Sequence, residues 1–274
     1  MGLELLGLMA LGFTAAVLAY LLGIGGGVVI VPVLVVFFKF HVHEAIAISL
    51  VVIVASSLSL TSANLKNRMT NIRLGIYLEL TTIIGAVSGG LVSVNLSGKT
   101  LSTVFAAVMF ALAYLMWRNS GTDRALEEKP EQMGPLDGSY TDAREGTLKY
   151  YHVHHPNIVA AVSFFAGIGS GMFGIGGGVF KVPVMNIIAG IPLKAATATS
   201  NFMICFTAAA GSLPYLMNGY FHPEAAGAMV IGAYAGAKFA TGRLTKVQNR
   251  NIKLLFIIFI LGVAIEMAYK AVHG

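Results

Sequence analysis

The sequence predicts an all-α, polytopic transmembrane helical bundle of two inverted repeats. In each repeat a Gly-broken, re-entrant helix pair precedes three spanning helices. Three observations carry this reading. Apolar residues make up 56% of the chain and charged residues 11%, with mean hydropathy +0.78. A soluble domain carries about 25% charge, so lipid must solvate much of this surface. The run GIGGGVVIVPV at 23–33 returns as GIGGGVFKVPV at 174–184, an offset of 151. Equivalent loops of the two copies then carry opposite Lys/Arg bias, the signature of opposed orientation in the bilayer.

Eight apolar blocks lie at about 5–39, 44–64, 74–95, 100–117, 157–190, 193–216, 222–241 and 254–271. The first and fifth exceed the ~20 residues of one span. They are interrupted at Gly23 to Gly27 and at Gly174 to Gly178, so each reads as a helix pair with glycines at its apex. The other six read as single spans. The same offset pairs Pro32 with Pro183, Ala45 with Ala196, Ala47 with Ala198, Ser49 with Ser200 and Asn67 with Asn218. A fixed offset held this far marks an internal repeat. The chain therefore divides into repeat 1 (1–117), a linker (118–156) and repeat 2 (157–274). The linker holds seven acids and five bases among Gly, Pro and Ser turn residues. It is expected to be solvated and partly disordered.

Loop charge sets the topology. The loop after block 44–64 holds Lys66, Arg68 and Arg73; its mate, 216–223, has no Lys or Arg. The loop after block 74–95 holds only Lys99; its mate, 241–253, holds Arg243, Lys246, Arg250 and Lys253. Lys and Arg accumulate in cytoplasmic loops. The linker and loop 241–253 are thus expected in the cytoplasm of an inner-membrane protein, with loop 216–223 outside. That requires an odd number of crossings between 157 and 216, so one block there must enter and leave on the same side. The N-terminus lacks a basic n-region and a small-residue cleavage site, so Met1 onward reads as mature protein. The lone Cys205 excludes an intrachain disulfide. The net charge of +6 sits in loops and forms no face for nucleic acid.

The candidate chemistry lies at the breaks. Non-helical backbone at membrane depth is tolerated only when buried in protein or lining a cavity. A helix that restarts there turns free N–H groups and a positive dipole end inward, which favours an anion. Gly25, Gly26 and Gly27, with Gly176, Gly177 and Gly178, are accordingly candidate substrate contacts, unless they only permit close helix packing. Downstream, Ser49, Thr199, Ser200 and Asn201 can donate to an oxyanion; for Thr199 a bond to helix backbone is the competing reading. Lys181, in an apolar run where its mate is Ile30, is a candidate anion partner. It would otherwise snorkel, or pair with a buried acid such as Glu79. Glu79 and Glu266 read as helix-end residues, with proton carriage the other option. His152, His154 and His155 lack a carboxylate or Cys at ligand spacing, so no metal or cofactor is expected. The glycine runs lack the final Gly of a dinucleotide fingerprint and the Lys-Ser/Thr of a P-loop.

These features resemble the TauE/SafE family of sulfite and organosulfonate exporters. The resemblance rests on the two GIGGGV-x-x-VPV runs and the A-x-A-x-S runs at 45–49 and 196–200, and covers nearly the whole chain. It implies multi-pass transport, as an exporter, of a small sulfur-containing oxyanion such as sulfite or an organosulfonate; the breaks read above would hold that anion between the two helix N-termini. The partners expected are that anion and the lipid bilayer, not nucleic acid; a homo-oligomer is compatible. Two other classes stay open. A metal-cation transporter would need converging Asp, Glu, His or Cys. An intramembrane enzyme would need a nucleophile with its base or paired carboxylates, and neither pattern is present.

Overall fold

The computed structural model describes residues 2–22, 25–118, 132–141, 147–243 and, within 258–269, all but 259 and 263. Most of loop 241–253 and the acidic middle of the linker lie outside the described residues. In the first half, α1 (Gly2–Leu22) and α2 (Gly27–Val36) flank the first break. α3 (Val42–Lys66), α4 (Ile72–Val94) and α5 (Gly98–Arg118) follow. In the second half, α6 (Pro156–Phe173) and α7 (Gly178–Ile187) flank the second break, ahead of α8 (Leu193–Met217) and α9 (Pro223–Arg243). The 151-residue offset holds at element level. α2 and α7 share both bounds under it, as do α3 and α8, and the starts of α4 and α9 coincide. Among the described residues four helices are long and apolar enough to cross a membrane: Gly2–Leu21, Val42–Lys66, Ile72–Val94 and Pro156–Phe173. α2 and α7, at 10 residues each, are ~15 Å long at 1.5 Å per residue, about half a span.

Each half lends a helix to the other. α4 packs on α6, and α1 on α9, so the repeats interlock instead of lying side by side. Glycines at four-residue spacing make this possible. Gly85 and Gly89 of α4 face the carbonyls of Phe164 and Ile168, while Gly167 and Gly171 of α6 face those of Thr82 and Ala86. Gly232 and Gly236 of α9 face Met9 and Phe13 in the same way. A Cβ at any of these positions would strike the opposing backbone. This is the small-xxx-small contact that lets membrane helices approach where no hydrophobic drive exists. The outward faces are apolar instead. Ile76, Leu80, Ile84 and Leu91 of α4 are all at least half exposed, a stripe suited to acyl chains.

Among the described residues the helical class has one exception, in the linker. Gly138–Thr141 (β1) and Leu148–Tyr151 (β2) pair antiparallel, with Tyr140 opposite Lys149. Tyr140 and Tyr151 are buried against Leu74 and Leu78 of α4 and Met185 of α7. The expectation of a solvated, partly disordered linker is thus corrected for residues 132–141 and 147–155. Aromatic residues with high strand preference dock on α4 and bury area that a charged composition hides. Asp137 fixes the hairpin base, accepting from the N–H groups of Gly134 (2.7 Å) and Val153 (2.8 Å) and from His152 Nδ1 (2.7 Å). Burial opposes its ionisation, but these donors hold its carboxyl below the usual range. His152 therefore has a carboxylate partner at a distance in sequence that spacing did not show.

Candidate functional site

Both breaks are built from left-handed backbone that only glycine adopts freely. φ is 87° and 70° at Gly25 and Gly26, and 66°, 75° and 72° at Gly174, Gly176 and Gly177. All five are buried. The breaks touch. A Cβ on Gly25 would lie 3.3 Å from Ile175 O, and one on Gly27 would strike Gly174 O. Ser49 Oγ of α3 donates to Gly174 O at 2.7 Å, bracing one half's break from the other half. Ile53 and Ile204, mates under the repeat, cover the crossing and contact glycines of both breaks. Among the described residues the two breaks are in direct contact, with Ile53 and Ile204 packed against glycines of both. Gly23, where the mirror-image brace from Ser200 would land, lies outside the described residues.

The start of α7 differs from that of α2 in its polar neighbours. Gly177 caps α7, and a Cβ there would sit 3.3 Å from Ser170 Cβ and 3.5 Å from Lys181 Cε. At Gly26 the matching neighbour is Ala19. Phe180 and Lys181 donate their N–H groups to Gly177 O (3.2 and 3.0 Å). The N–H groups of Gly178 and Val179 are left without a backbone acceptor among the described residues. In the first half the Gly27 N–H turns back onto Gly25 O at 2.8 Å. Ser170 Oγ, Ser200 Oγ and Asn201 Nδ2 are buried without a hydrogen-bond partner, and their residues are 1% exposed or less. An unpaired buried polar group costs about 1–3 kcal/mol.

Lys181 is 1% exposed. Its Nζ lies 3.2 Å from Glu79 Oε2 of α4 and donates to Thr207 Oγ1 of α8 at 2.7 Å. Thr207 Oγ1 in turn lies at hydrogen-bond distance from Glu79 Oε1 and 3.1 Å from Met203 O. Glu79, read from sequence as a helix-end residue, is 4% exposed and balances the lysine's charge. Thr199 points elsewhere: its Oγ1 accepts the N–H of Asn71 (3.0 Å), the cap of α4. Of the sequence candidates, Gly176, Gly177, Gly178 and Lys181 meet at the start of α7. Gly25, Gly26, Gly27 and Ser49 form the brace. Ser200 and Asn201 lie buried on α8, one turn before Ile204.

Sequence reasoning missed Ser170 and Thr207. A signal was available. Ser170, Lys181 and Asn201 stand where repeat 1 has Ala19, Ile30 and Leu50, so comparing the halves picks out a polar trio in one copy alone. Among the described residues no three His, Cys, Asp or Glu side chains converge as a metal site would require. The open cleft of about 610 Å³ lined by Glu4, Phe38, His222 and Glu224 lies at the far end of α1 from the break.

Spanning helices, an apolar exterior and buried broken helices define a polytopic membrane protein with an internal polar site. The family profile described as Sulfite exporter TauE/SafE matches residues 8–267, and the chain belongs to this family of membrane transporters. It is 28% identical over 274 residues to the probable membrane transporter protein YunE of Bacillus subtilis, covering 97% of this chain and 98% of that one. A probable membrane transporter protein of Methanocaldococcus jannaschii is 27% identical over 215 residues, 76% of this chain and 71% of its own. The Sulfite exporter TauE/SafE family protein 6 of Arabidopsis thaliana is 31% identical over 119 residues, 43% of this chain and 27% of its own. No solved structure matches the chain.

Proposed function

We propose that the protein is a secondary transporter that exports a small sulfur-containing oxyanion, such as sulfite or an organosulfonate, across the cell's inner membrane. The observation that carries this reading is the start of α7. Free N–H groups, a helix dipole of roughly +0.5 charge and the unpaired Ser170 hydroxyl adjoin a buried lysine. Ser200 and Asn201 carry further unpaired groups on α8. The anion is placed at this helix end, where the unpaired hydroxyl and the buried lysine adjoin. The family description supports the substrate class.

Inverted repeats across the bilayer fit the exchanged packing of α4 on α6 and α1 on α9 together with the loop-charge bias. The linker and loop 241–253 are then cytoplasmic. Purified protein titrated separately with sulfite, sulfate, thiosulfate and an alkyl sulfonate should bind at least one, and Lys181→Ala should weaken binding most for a dianion. Binding of a divalent cation with no response to any of the four anions would point to a cation transporter instead.

A further inference from the structure

We propose that Glu79 is a proton site and that one proton travels with each anion. This rests on the anion-transport reading above. The argument is one of buried charge. Lys181 and Glu79 form a neutral pair whose side chains are 0% and 6% exposed. An anion arriving at Lys181 brings a negative charge into a region already balanced. An uncompensated charge in so dry a place is strongly unfavourable. The nearest group that can remove the excess is the carboxylate. Glu79 takes a proton from the aqueous phase that supplied the anion and becomes a neutral carboxylic acid, and Lys181 is released to the anion. When the anion leaves on the other side, Lys181 pairs with Glu79 again and the proton departs there.

The surroundings suit both states. Thr207 has one hydroxyl hydrogen and two acceptors within reach, Glu79 Oε1 and Met203 O. With Glu79 ionised the hydrogen points to the carboxylate. With Glu79 protonated, the acid O–H donates to Thr207 Oγ1 and the threonine turns its hydrogen to Met203 O, so no partner is lost. Few other groups compete. Of the elements packed on this part of α4, α6 carries no titratable side chain, α7 contributes Lys181, α8 brings Cys205 into electrostatic reach of the pair, and the hairpin adds the buried Tyr140 and Tyr151 beside Leu74 and Leu78.

The test uses full-length protein in liposomes, with a pH dye inside and the membrane potential clamped at zero. The probe is an alkyl sulfonate, whose own charge stays fixed near neutral pH. An inward sulfonate gradient should acidify the lumen with a stoichiometry near one proton per sulfonate, and uptake should rise as external pH falls. In Glu79→Gln the stoichiometry should drop to near zero and the pH dependence flatten, whatever rate remains. Sulfonate uptake by the unaltered protein without lumenal acidification overturns the proton proposal and leaves anion transport standing; this arm decides even if the variant fails to insert. Acidification that persists in Glu79→Gln also overturns it. If neither the sulfonate nor sulfite or thiosulfate enters at all, the transport reading itself fails, and the proton proposal with it.

Discussion

Ser170 and Ser49 are both buried serines beside a glycine break, yet they should respond in opposite ways to substitution. Ser49 Oγ donates to Gly174 O, so Ser49→Ala strands that carbonyl and should cost about 1–3 kcal/mol of stability. Ser170 Oγ has no partner, so Ser170→Ala should leave the melting temperature in detergent unchanged or raise it, while oxyanion affinity falls roughly ten- to a hundredfold. Equal loss of stability in both variants would assign Ser170 a structural role. The Lys181–Glu79 pair obeys a different rule. Lys181→Ala leaves a buried carboxylate without its cation, at a cost of about 3–5 kcal/mol. Replacing both, as Lys181→Met with Glu79→Gln, should recover most of that loss in a thermal melt. At this scale the sequence exposed Lys181, because a charge in an apolar run is conspicuous. It also offered Glu79 as a partner, since few acids lie outside the linker. It did not expose Ser170 as a polar neighbour of the break, because in sequence Gly169-Ser170-Gly171 suggests only a nucleophile elbow, whose flanks it lacks.

Among the elements, the glycines separate into two kinds that composition alone merges. Those at the breaks need left-handed φ; those in α4, α6, α1 and α9 need only the absence of a side chain. Gly177→Leu is therefore expected to insert normally and abolish transport, because it strains the α7 cap and fills the space beside Ser170. Gly171→Leu should instead separate α6 from α4 and lower the yield of folded protein, read by size-exclusion profile. The breaks were legible because the motif occurs twice. The hairpin was not, because two four-residue strands in a charged run carry little periodicity. What holds the hairpin is tertiary: Asn71 Nδ2 donates to Leu136 O at 2.8 Å, and Asp137 binds His152 and two amides. Because the Asp137 carboxyl lies below its ordinary range, its contribution is complete above the unfolded value and is lost as pH falls through the folded one. Hydrogen exchange at the Val153 amide should stay slow at neutral pH, quicken in that acid window, and quicken at all pH values in Asp137→Ala.

Across the whole molecule, a near-symmetric scaffold differs between its halves in a few buried polar residues. Element bounds, glycine breaks and the Ile53–Ile204 cover repeat at one offset; the polar trio Ser170, Lys181 and Asn201 does not. The repeat was legible because no gap interrupts the offset, but its handedness across the bilayer rests on loop charge, and much of loop 241–253 lies outside the described residues. Single cysteines at the exposed positions Ser139 and Asn218, in a Cys205→Ser background, should react with an impermeant thiol reagent from opposite faces. Labelling of both from one face would rule out the opposed repeats. The claim on which the rest depends is that a small oxyanion binds at the start of α7 and crosses there. Counterflow of radiolabelled sulfite in liposomes tests it most directly, with the unaltered protein beside Lys181→Glu and with circular dichroism reporting the fold of each. The account predicts overshoot of label with the unaltered protein and nearly none with folded Lys181→Glu. Equal overshoot in both, or none with the unaltered protein for sulfite, thiosulfate and sulfonate alike, would contradict it.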